Sequence, residues 1–295
     1  MFLALLKAMR PKQWAKNVFI FAALVFDRKL GYLPDLLTTL AGVGIFCLLA
    51  SIIYLLNDLA DIEADRQHPK KRNRPIASGA LPVKVAWIAA GFFLLVALPA
   101  AYLLSPGFFI LCLIYLVTNL AYSKWLKHIA LLDVLFLAGF YVIRVGAGVA
   151  LIDVERFSPW LYVFTTFIAL YLGIGKRRAE LSQLTTGASN TRRVLEGYTL
   201  PFLDNLILLV SAMAIVTYSL YTFTAPNLPP DHVMMLTIPF VIYAIFRYLY
   251  LIQVGNSGDA PEEVFFNDRP IQICLVLWGV VVLIIFYLVP LLPTA

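Results

Sequence analysis

Charged residues are scarce in this sequence. Asp, Glu, Lys and Arg make up 14% of its 295 residues, hydrophobic residues make up 61%, and the mean hydropathy is +0.85. Ordinary soluble chains carry about 25% charged residues. A soluble core of this size cannot hide so much apolar surface, whereas a lipid bilayer can. The composition therefore excludes a soluble enzyme, a disordered chain and a nucleic-acid-binding domain.

Cysteine and histidine are also rare, with three residues of each. Cys47, Cys112 and Cys274 stand apart in apolar stretches without a CxxC pair. A disulfide framework or a thiolate metal site is therefore not expected, and these side chains are interpreted as small buried hydrophobic groups. No secretory signal peptide is expected either. The basic residues around Trp14 instead indicate an amphipathic segment on the cytosolic membrane surface.

Long apolar runs alternate with short polar breaks, which predicts an all-α, polytopic membrane protein. Pro and Gly mark the breaks, as at Ser105-Pro106-Gly107. We interpret residues 1–295 as one integral membrane domain. Nine membrane-spanning helices are predicted, at residues 18–34, 36–56, 84–104, 107–123, 129–151, 158–174, 200–223, 232–253 and 270–290.

The positive charges predict the orientation of these helices. The chain has 23 Lys and Arg residues. If the N-terminus is cytosolic, all of them lie in cytosolic segments except Arg28, Lys29, Arg144 and Arg156. Such asymmetry follows the positive-inside rule. We expect a multi-pass protein of the plasma (inner) membrane. Two long charged loops, residues 57–82 and 175–200, then face the cytosol and are expected to form two walls of one site.

The first of these loops begins with acidic residues at helical spacing. Asn57, Asp61 and Asp65 are four residues apart and Asp58 precedes Asp61 by three, so a helix would place them on one face. Carboxylates at the end of a membrane bundle need a counter-charge. Mg²⁺ meets this need, because it takes oxygen ligands and is usually completed by substrate phosphates. The predicted metal ligands are Asn57, Asp58, Asp61 and Asp65.

A basic run follows directly, from Arg66 to Arg74. The guanidinium group presents a fork of donors that matches phosphate oxygens. We therefore predict that Arg66 and Arg74, with Asn57, bind the substrate.

The segment from Asn57 to Gly79, NDLADIEADRQHPKKRNRPIASG, resembles the first aspartate-rich motif of the UbiA superfamily of intramembrane prenyltransferases. The resemblance implies nine transmembrane helices around a cavity that opens to the cytosol. It also implies transfer of a polyprenyl group from its diphosphate, with Mg²⁺ held by two aspartate-rich motifs.

The second charged loop departs from that pattern. Prenyl-transferring members carry a second DxxxD-type motif, but this chain reads GKRRAEL from Gly175 to Leu181, with cations in place of carboxylates. Cations bind phosphate directly, without a second metal. Lys16 and Tyr122 have structural alternatives, as a membrane anchor and as part of an interfacial aromatic belt. The predicted phosphate-binding and substrate-binding residues in these regions are Lys16, Tyr122, Lys124, Lys127, Lys176 and Arg177.

Two further motifs, RPKQWAKN from Arg10 and YSKWLKH from Tyr122, narrow the resemblance. Together the motifs resemble the polyprenyl-phosphate (decaprenyl-phosphate) 5-phosphoribosyltransferase branch. This implies transfer of 5-phosphoribose from 5-phosphoribosyl diphosphate (PRPP) to a polyprenyl phosphate, with release of diphosphate, in the synthesis of cell-wall arabinan precursors. Mg²⁺ on the predicted catalytic residues Asp58, Asp61 and Asp65 would stabilise the leaving diphosphate.

Two other functions stay open. A UbiA-type prenyltransferase for an aromatic acceptor would need a second carboxylate clamp, which the GKRR sequence opposes. A membrane transporter would carry polar residues near the middle of the membrane, whereas these charges gather at one face. The expected partners are PRPP, polyprenyl phosphate and membrane lipids, without nucleic acid. The sequence also leaves a homo-oligomer open.

Overall fold

Helices account for the regular structure of this chain. The structure is a computed structural model that describes residues 1–69, 71–154, 158–185, 193–226, 228–229, 231–254, 264 and 267–289. These residues contain no β-strand, which confirms the all-α prediction. Seven of the described helices are long and apolar enough to cross a membrane, as expected of a multi-pass membrane protein. The predicted count of nine spans is therefore not confirmed.

Short helices precede and link the long ones. The α-helices are α1 (Phe2–Met9), α2 (Ala22–Phe26), α3 (Leu33–Ala60), α4 (Ile62–Gln67), α5 (Val83–Leu104), α6 (Pro106–Lys124), α7 (Leu132–Leu151), α8 (Pro159–Thr185), α9 (Leu200–Thr224), α10 (Ile238–Gln253) and α11 (Arg269–Leu283). Short 3-10 segments cover Pro11–Phe21, Lys71–Asn73, Leu126–His128, Arg193–Gly197 and Val233–Thr237, and a π-helical turn, Ile284–Leu288, follows α11.

Proline and capping residues explain several helix starts. Proline occupies the first turn of α3, α9 and α11, where its missing N–H costs no hydrogen bond. The Thr199 hydroxyl accepts from the Phe202 N–H at 3.3 Å, and the Asp268 carboxylate accepts from the Ile271 N–H at 2.9 Å. Each cap satisfies one of the free N–H groups at a helix start.

The largest differences from the predicted boundaries lie where charged residues begin. The first predicted helix, 18–34, is instead the 3-10 segment Pro11–Phe21 followed by α2, which ends before Asp27. The helix predicted at 36–56 continues to Ala60 in α3, and the one predicted at 158–174 continues to Thr185 in α8. Hydropathy marks only the apolar part of a helix, so these polar extensions were missed.

The chain divides into two compact units. The first unit comprises residues 1–124 and 143–155, and its long central helix α3 packs against α1, α5, α6 and the 3-10 segment Pro11–Phe21. The Phe46 ring of α3 packs against Phe108 and Tyr115 of α6, with centroids 5.7 and 5.1 Å apart. Gly148 lets the backbone approach closely, because an added Cβ would lie 2.0 Å from the Ile20 carbonyl oxygen.

The second unit comprises residues 125–142 and the described part of 156–295. Helices α8 and α9 form its largest helix pair, and α10 and α11 pack on each other. Its core includes Tyr171, whose hydroxyl donates to the Ile245 carbonyl at 2.6 Å. The single domain predicted from the sequence stays a prediction.

Candidate functional site

Two buried aspartates and two arginines form a compact ionic cluster in the first unit. Arg74 Nη1 donates to Asp58 Oδ1 at 3.1 Å and to Asp65 Oδ2 at 2.6 Å. Arg10 Nη2 donates to the same Asp58 Oδ1 at 2.5 Å. We call these four residues the carboxylate–arginine cluster. Both aspartate side chains are 2% exposed, whereas those of Arg10 and Arg74 are 30% and 27% exposed.

A short break between two helices positions the two aspartates. Asp58 lies in the last turn of α3, and Asp65 lies on α4. Asp61 separates the helices, with its N–H bonded to the Asn57 carbonyl and its own carbonyl bonded to the Asp65 N–H. The backbone therefore nearly continues as a helix, and a spacing of seven residues returns a side chain to almost the same face. Of the four residues predicted to share one face, the structure brings Asp58 and Asp65 together on Arg74, whereas Asp61 is exposed.

The loop after α4 folds back and brings Arg74 to these carboxylates. Ile76 is buried in a hydrophobic cluster with Leu55 and Leu59 of α3. The Leu81 N–H bonds the Pro75 carbonyl at 2.8 Å, and Gly79 turns the chain with a φ of 80°. Only glycine adopts such a φ without steric cost. The apolar part of RPIASG thus anchors the loop, and its arginine faces the acids.

Arg10 reaches the cluster from the N-terminal segment. It lies between α1 and the 3-10 segment Pro11–Phe21, with a left-handed φ of 54°. Its guanidinium lies 4.8 Å from the centroid of the Tyr54 ring, one helical turn before Asp58. Arg10 is absent from the predicted site residues. Its position in RPKQWAKN was the available signal.

The oxygen atoms of this cluster suit a hard divalent cation. Asp58 Oδ2 is buried and has no hydrogen-bond partner among the described residues. A buried carboxylate oxygen without a partner is costly, and carboxylate oxygens are the ligands that Mg²⁺ prefers. No group of three His, Cys, Asp or Glu residues is preformed around a metal position in the described ranges. The donor set fits a metal completed by substrate oxygens rather than by a protein cage.

The other residues predicted around the first motif are more exposed. Asp61 is exposed, and Asn57 is partly buried. Arg66 Nη1 pairs with Glu63 Oε1 at 3.0 Å on the surface of α4, and Arg66 Nε donates to the Ala77 carbonyl at 3.3 Å. Metal or substrate binding by these residues stays a prediction. Lys70, in the basic run, lies outside the described residues.

A second ionic network lies in the second unit. Arg177 Nε donates to Asp133 Oδ2 at 2.5 Å, and Arg177 Nη1 donates to Glu180 Oε2 at 2.6 Å. The Tyr198 hydroxyl donates to Asp133 Oδ1 at 2.6 Å and accepts from the Leu131 N–H at 2.7 Å. We call Asp133, Arg177, Glu180 and Tyr198 the Asp133 network. It joins the starts of α7 and α9 to the polar end of α8.

Burial gives this network a structural role. Asp133 and Arg177 are completely buried, and burial together with the hydrogen bond to Asp133 raises the pKa of Tyr198. Leu131, held by Tyr198, has a left-handed φ of 69°. Such a backbone is strained for a residue with a side chain and persists only where its surroundings hold it. The network therefore fixes the turn that follows Lys127, and direct phosphate binding by Arg177 stays a prediction.

The remaining predicted substrate-binding residues are exposed or partly buried. Lys124 ends α6 and is exposed, whereas Lys127 lies in the 3-10 segment Leu126–His128 and is partly buried. Lys176 on α8, Lys16 and Tyr122 are also partly buried. Their predicted contacts with substrate stay predictions. Arg192, in the second charged loop, lies outside the described residues.

Asn17 and Arg144 have a structural arrangement in the first unit. Arg144 Nε donates to Asn17 Oδ1 at 2.9 Å, and Arg144 Nη2 donates to the Tyr115 hydroxyl at 3.1 Å. Asn17 Nδ2 in turn donates to Cys47 Sγ at 3.2 Å, and Asn17 is completely buried. These contacts tie the 3-10 segment Pro11–Phe21 to α6 and α7, which gives Arg144 a structural role.

Known proteins share both the sequence and the fold. A decaprenyl-phosphate phosphoribosyltransferase from Mycolicibacterium smegmatis is 36% identical over 289 residues, covering 93% of this chain and 89% of that protein. A protein of the same name from Corynebacterium glutamicum is 31% identical, covering 97% of this chain and 87% of that protein.

Solved structures support the same fold. A UbiA homolog from Archaeoglobus fulgidus, bound to DMAPP and Mg²⁺, superposes with a TM-score of 0.71 at 20% identity, covering 96% of this chain and 98% of that one. Residues 18–176 match the UbiA prenyltransferase family. This range contains Asp58 of α3, Asp65 of α4 and the first two residues of the GKRR sequence, Gly175 and Lys176. With its buried aspartates on the first motif and its relatives over almost the full length, this chain belongs to the UbiA prenyltransferase family.

Proposed function

We propose that this protein transfers 5-phosphoribose from PRPP to a polyprenyl phosphate, such as decaprenyl phosphate, with release of diphosphate. The carboxylate–arginine cluster is the observation that carries the proposal, because buried carboxylates beside partly exposed guanidinium groups suit a diphosphate with its metal. The names of the relatives that match about nine-tenths of the chain support the same reaction. The product would serve the synthesis of cell-wall arabinan precursors.

In this reaction the bond between C1 of the ribose and the diphosphate oxygen breaks, and an oxygen of the lipid phosphate bonds to C1. Mg²⁺, when bound, would supply positive charge to the leaving diphosphate. Asp58 and Asp65 would hold the metal, and Asp61 and Asn57 would add oxygen ligands. Arg74 and Arg66 would bind diphosphate oxygens, a contribution that depends on preorganised charge.

The acceptor needs little chemical activation. A phosphate monoester is already ionised near neutral pH, with a second pKa near 6, so no strong general base is required. Lys124, Lys127 and Lys176 would bind the 5-phosphate or the lipid phosphate, and Lys16 and Tyr122 would add contacts. Catalysis then depends mainly on positioning and charge neutralisation.

The distribution of charge in the sequence supports a reaction at a membrane surface. We propose that the protein lies in the plasma (inner) membrane as one catalytic domain, with a cytosolic N-terminus and a cytosolic site. PRPP is water-soluble and the acceptor is a lipid, so a site at the water–lipid boundary reaches both.

The proposal is tested with purified protein, PRPP labelled in the ribose, Mg²⁺ and polyprenyl phosphate. We expect label in the organic phase, and none when the metal is removed with a chelator. The same protein is then given polyprenyl diphosphate and an aromatic acid. Prenylation of the acid, without transfer of phosphoribose, would contradict the proposal and favour a UbiA-type prenyltransferase.

A further inference from the structure

Charge is already balanced in the carboxylate–arginine cluster before any ligand binds. Asp58 and Asp65 contribute two negative charges, and Arg10 and Arg74 contribute two positive charges. Both arginines bond the same atom, Asp58 Oδ1, while Asp58 Oδ2 is buried without a partner among the described residues. A cation that arrived alone would meet two guanidinium groups already beside the acidic oxygens.

The same balance disfavours a lone anion. A diphosphate that approached these arginines would meet two carboxylates whose side chains are only 2% exposed. Like charges in a site of low polarity repel strongly. A metal ion alone would therefore leave the two guanidinium groups without their carboxylate partners. A diphosphate alone would leave the two carboxylates without their arginine partners.

Two ligands that arrived together could exchange with the internal ion pairs. Asp58 and Asp65 would then hold the metal, and the guanidinium groups of Arg10 and Arg74 would bind diphosphate oxygens, so every charge would keep an opposite partner. Exposure favours this direction of movement, because the arginine side chains are 30% and 27% exposed and the aspartates are not. Arg10 lies at the junction between α1 and the 3-10 segment Pro11–Phe21, so its side chain can turn without moving either helix.

We propose that Arg10 and Arg74 are stand-in counter-cations for the metal, so that the divalent metal and the diphosphate bind this cluster together and only weakly apart. Arg10 is thereby added to the residues that bind the donor. The inference rests on the proposed function, since it takes the metal-bound diphosphate as the ligand of this cluster.

Binding measurements on the full-length protein in detergent test the exchange without turnover. Mn²⁺ replaces Mg²⁺ as the probe, and its binding is followed by the loss of the electron paramagnetic resonance signal of free Mn²⁺. Binding of radiolabelled inorganic diphosphate is followed by equilibrium dialysis with and without Mn²⁺. We expect diphosphate affinity to rise at least about tenfold when Mn²⁺ is present. Equal affinity of the unaltered protein for each ligand alone and in combination would overturn the proposal.

The substitution Arg10→Gln should change the two measured affinities in opposite directions. Removing a stand-in cation should tighten the binding of Mn²⁺ alone and weaken the binding of diphosphate with Mn²⁺, each by several fold. A residue with a purely structural role would weaken both, and a simple phosphate ligand would leave binding of Mn²⁺ alone unchanged; either result overturns the proposal. Arg10→Lys keeps the charge and should bind Mn²⁺ alone as the unaltered protein does. Lys84→Gln, which removes an exposed cation of α5 in the same unit, is the control and should change neither affinity.

The transfer assay separates this inference from the proposed function. If metal and diphosphate bind interdependently but no phosphoribose is transferred, the proposed function is wrong and the proposed joint binding is supported. If phosphoribose is transferred but metal and diphosphate bind independently, the joint binding is wrong and the proposed function is supported.

Discussion

At the scale of single residues, arginine accompanies each buried carboxylate. Asp58, Asp65 and Asp133 are the buried acids among the described residues, and each accepts a hydrogen bond from an arginine. Burying a charge without a partner is costly, so removing one member of such a pair is more damaging than removing a surface charge. The carboxylate–arginine cluster and the Asp133 network differ in how far solvent reaches their arginines. The arginines beside Asp58 are partly exposed, whereas Arg177 is completely buried.

Asp65→Asn should reduce transfer of labelled phosphoribose by about 100-fold or more, because it removes charge from the metal-binding pair. The variant should still elute as the unaltered protein does in size-exclusion chromatography. Glu63→Gln is the matched control, since Glu63 lies on the same helix with its side chain 81% exposed. Transfer by Asp65→Asn at the rate of this control would remove Asp65 from the metal site.

Tyr198→Phe should lower the free energy of unfolding by about 1–3 kcal/mol, because it leaves the Leu131 N–H and a buried Asp133 oxygen without the hydroxyl. Thermal unfolding in detergent measures this loss. Tyr162→Phe removes a hydroxyl from a half-exposed side chain and should change little. Equal stability of the two variants would contradict the structural role of Tyr198.

The raised pKa of Tyr198 predicts that the difference in stability between the unaltered protein and Tyr198→Phe depends on pH. Because this pKa is raised in the folded protein, the unfolded chain loses the proton first, from a pH of about 10 upward. The stabilisation is thus fully present below pH 10 and is lost as the pH rises through the folded pKa. The unfolding temperature of the unaltered protein should therefore fall faster above pH 10 than that of Tyr198→Phe. Parallel curves would contradict a raised pKa.

At the scale of secondary-structure elements, the 3-10 segment Pro11–Phe21 joins the membrane core to the carboxylate–arginine cluster. Arg10 lies at its start, Asn17 is bonded to Arg144 in its middle, and Ile20 contacts Gly148 near its end. The Trp14 indole N–H also donates to the Ser51 hydroxyl of α3 at 3.2 Å. The segment is therefore held along its length, which places Arg10 beside Asp58.

Gly148→Ala should destabilise the protein by about 1–3 kcal/mol, since the new methyl group would overlap the Ile20 carbonyl and push the 3-10 segment away. The unfolding midpoint in detergent measures the effect. Gly91→Ala in α5 has open space around the added methyl group and should be neutral or stabilising by up to about 1 kcal/mol. A neutral Gly148→Ala would show that the segment does not pack closely on α7.

The sequence predicts long apolar elements better than short polar ones. Apolar runs such as Val83–Leu104 were located within one residue, because hydropathy and helix period agree there. The spacing of Asp58 and Asp65 also predicted their shared face. The contacts of Arg10 with Asp58 and of Tyr198 with Asp133 span 48 and 65 residues. Local spacing carries no information on such contacts, which depend on how the helices pack.

At the scale of the whole molecule, the sequence predicts that basic residues favour one side of the membrane. The positive-inside rule then predicts that the loop before α5 and the loop before α10 lie on opposite sides. Lys84, in the first turn of α5, and Asp231, in the loop before α10, are both exposed and mark these two positions.

Lys84→Cys should react with a membrane-impermeant maleimide from the cytosolic side, and Asp231→Cys should react from the other side. Right-side-out and inverted membrane vesicles distinguish the two. The unaltered protein gives the background of Cys47, Cys112 and Cys274, of which the latter two are buried. Labelling of both positions from one side would contradict the predicted topology.

An experimental structure of the protein with PRPP and Mg²⁺ tests the central claim most directly. We predict a metal ion at direct coordination distance, about 2.0–2.1 Å, from carboxylate oxygens of Asp58 and Asp65, with Arg10 and Arg74 turned onto the diphosphate. A donor and metal bound elsewhere, with both arginines still on the two aspartates, would contradict it.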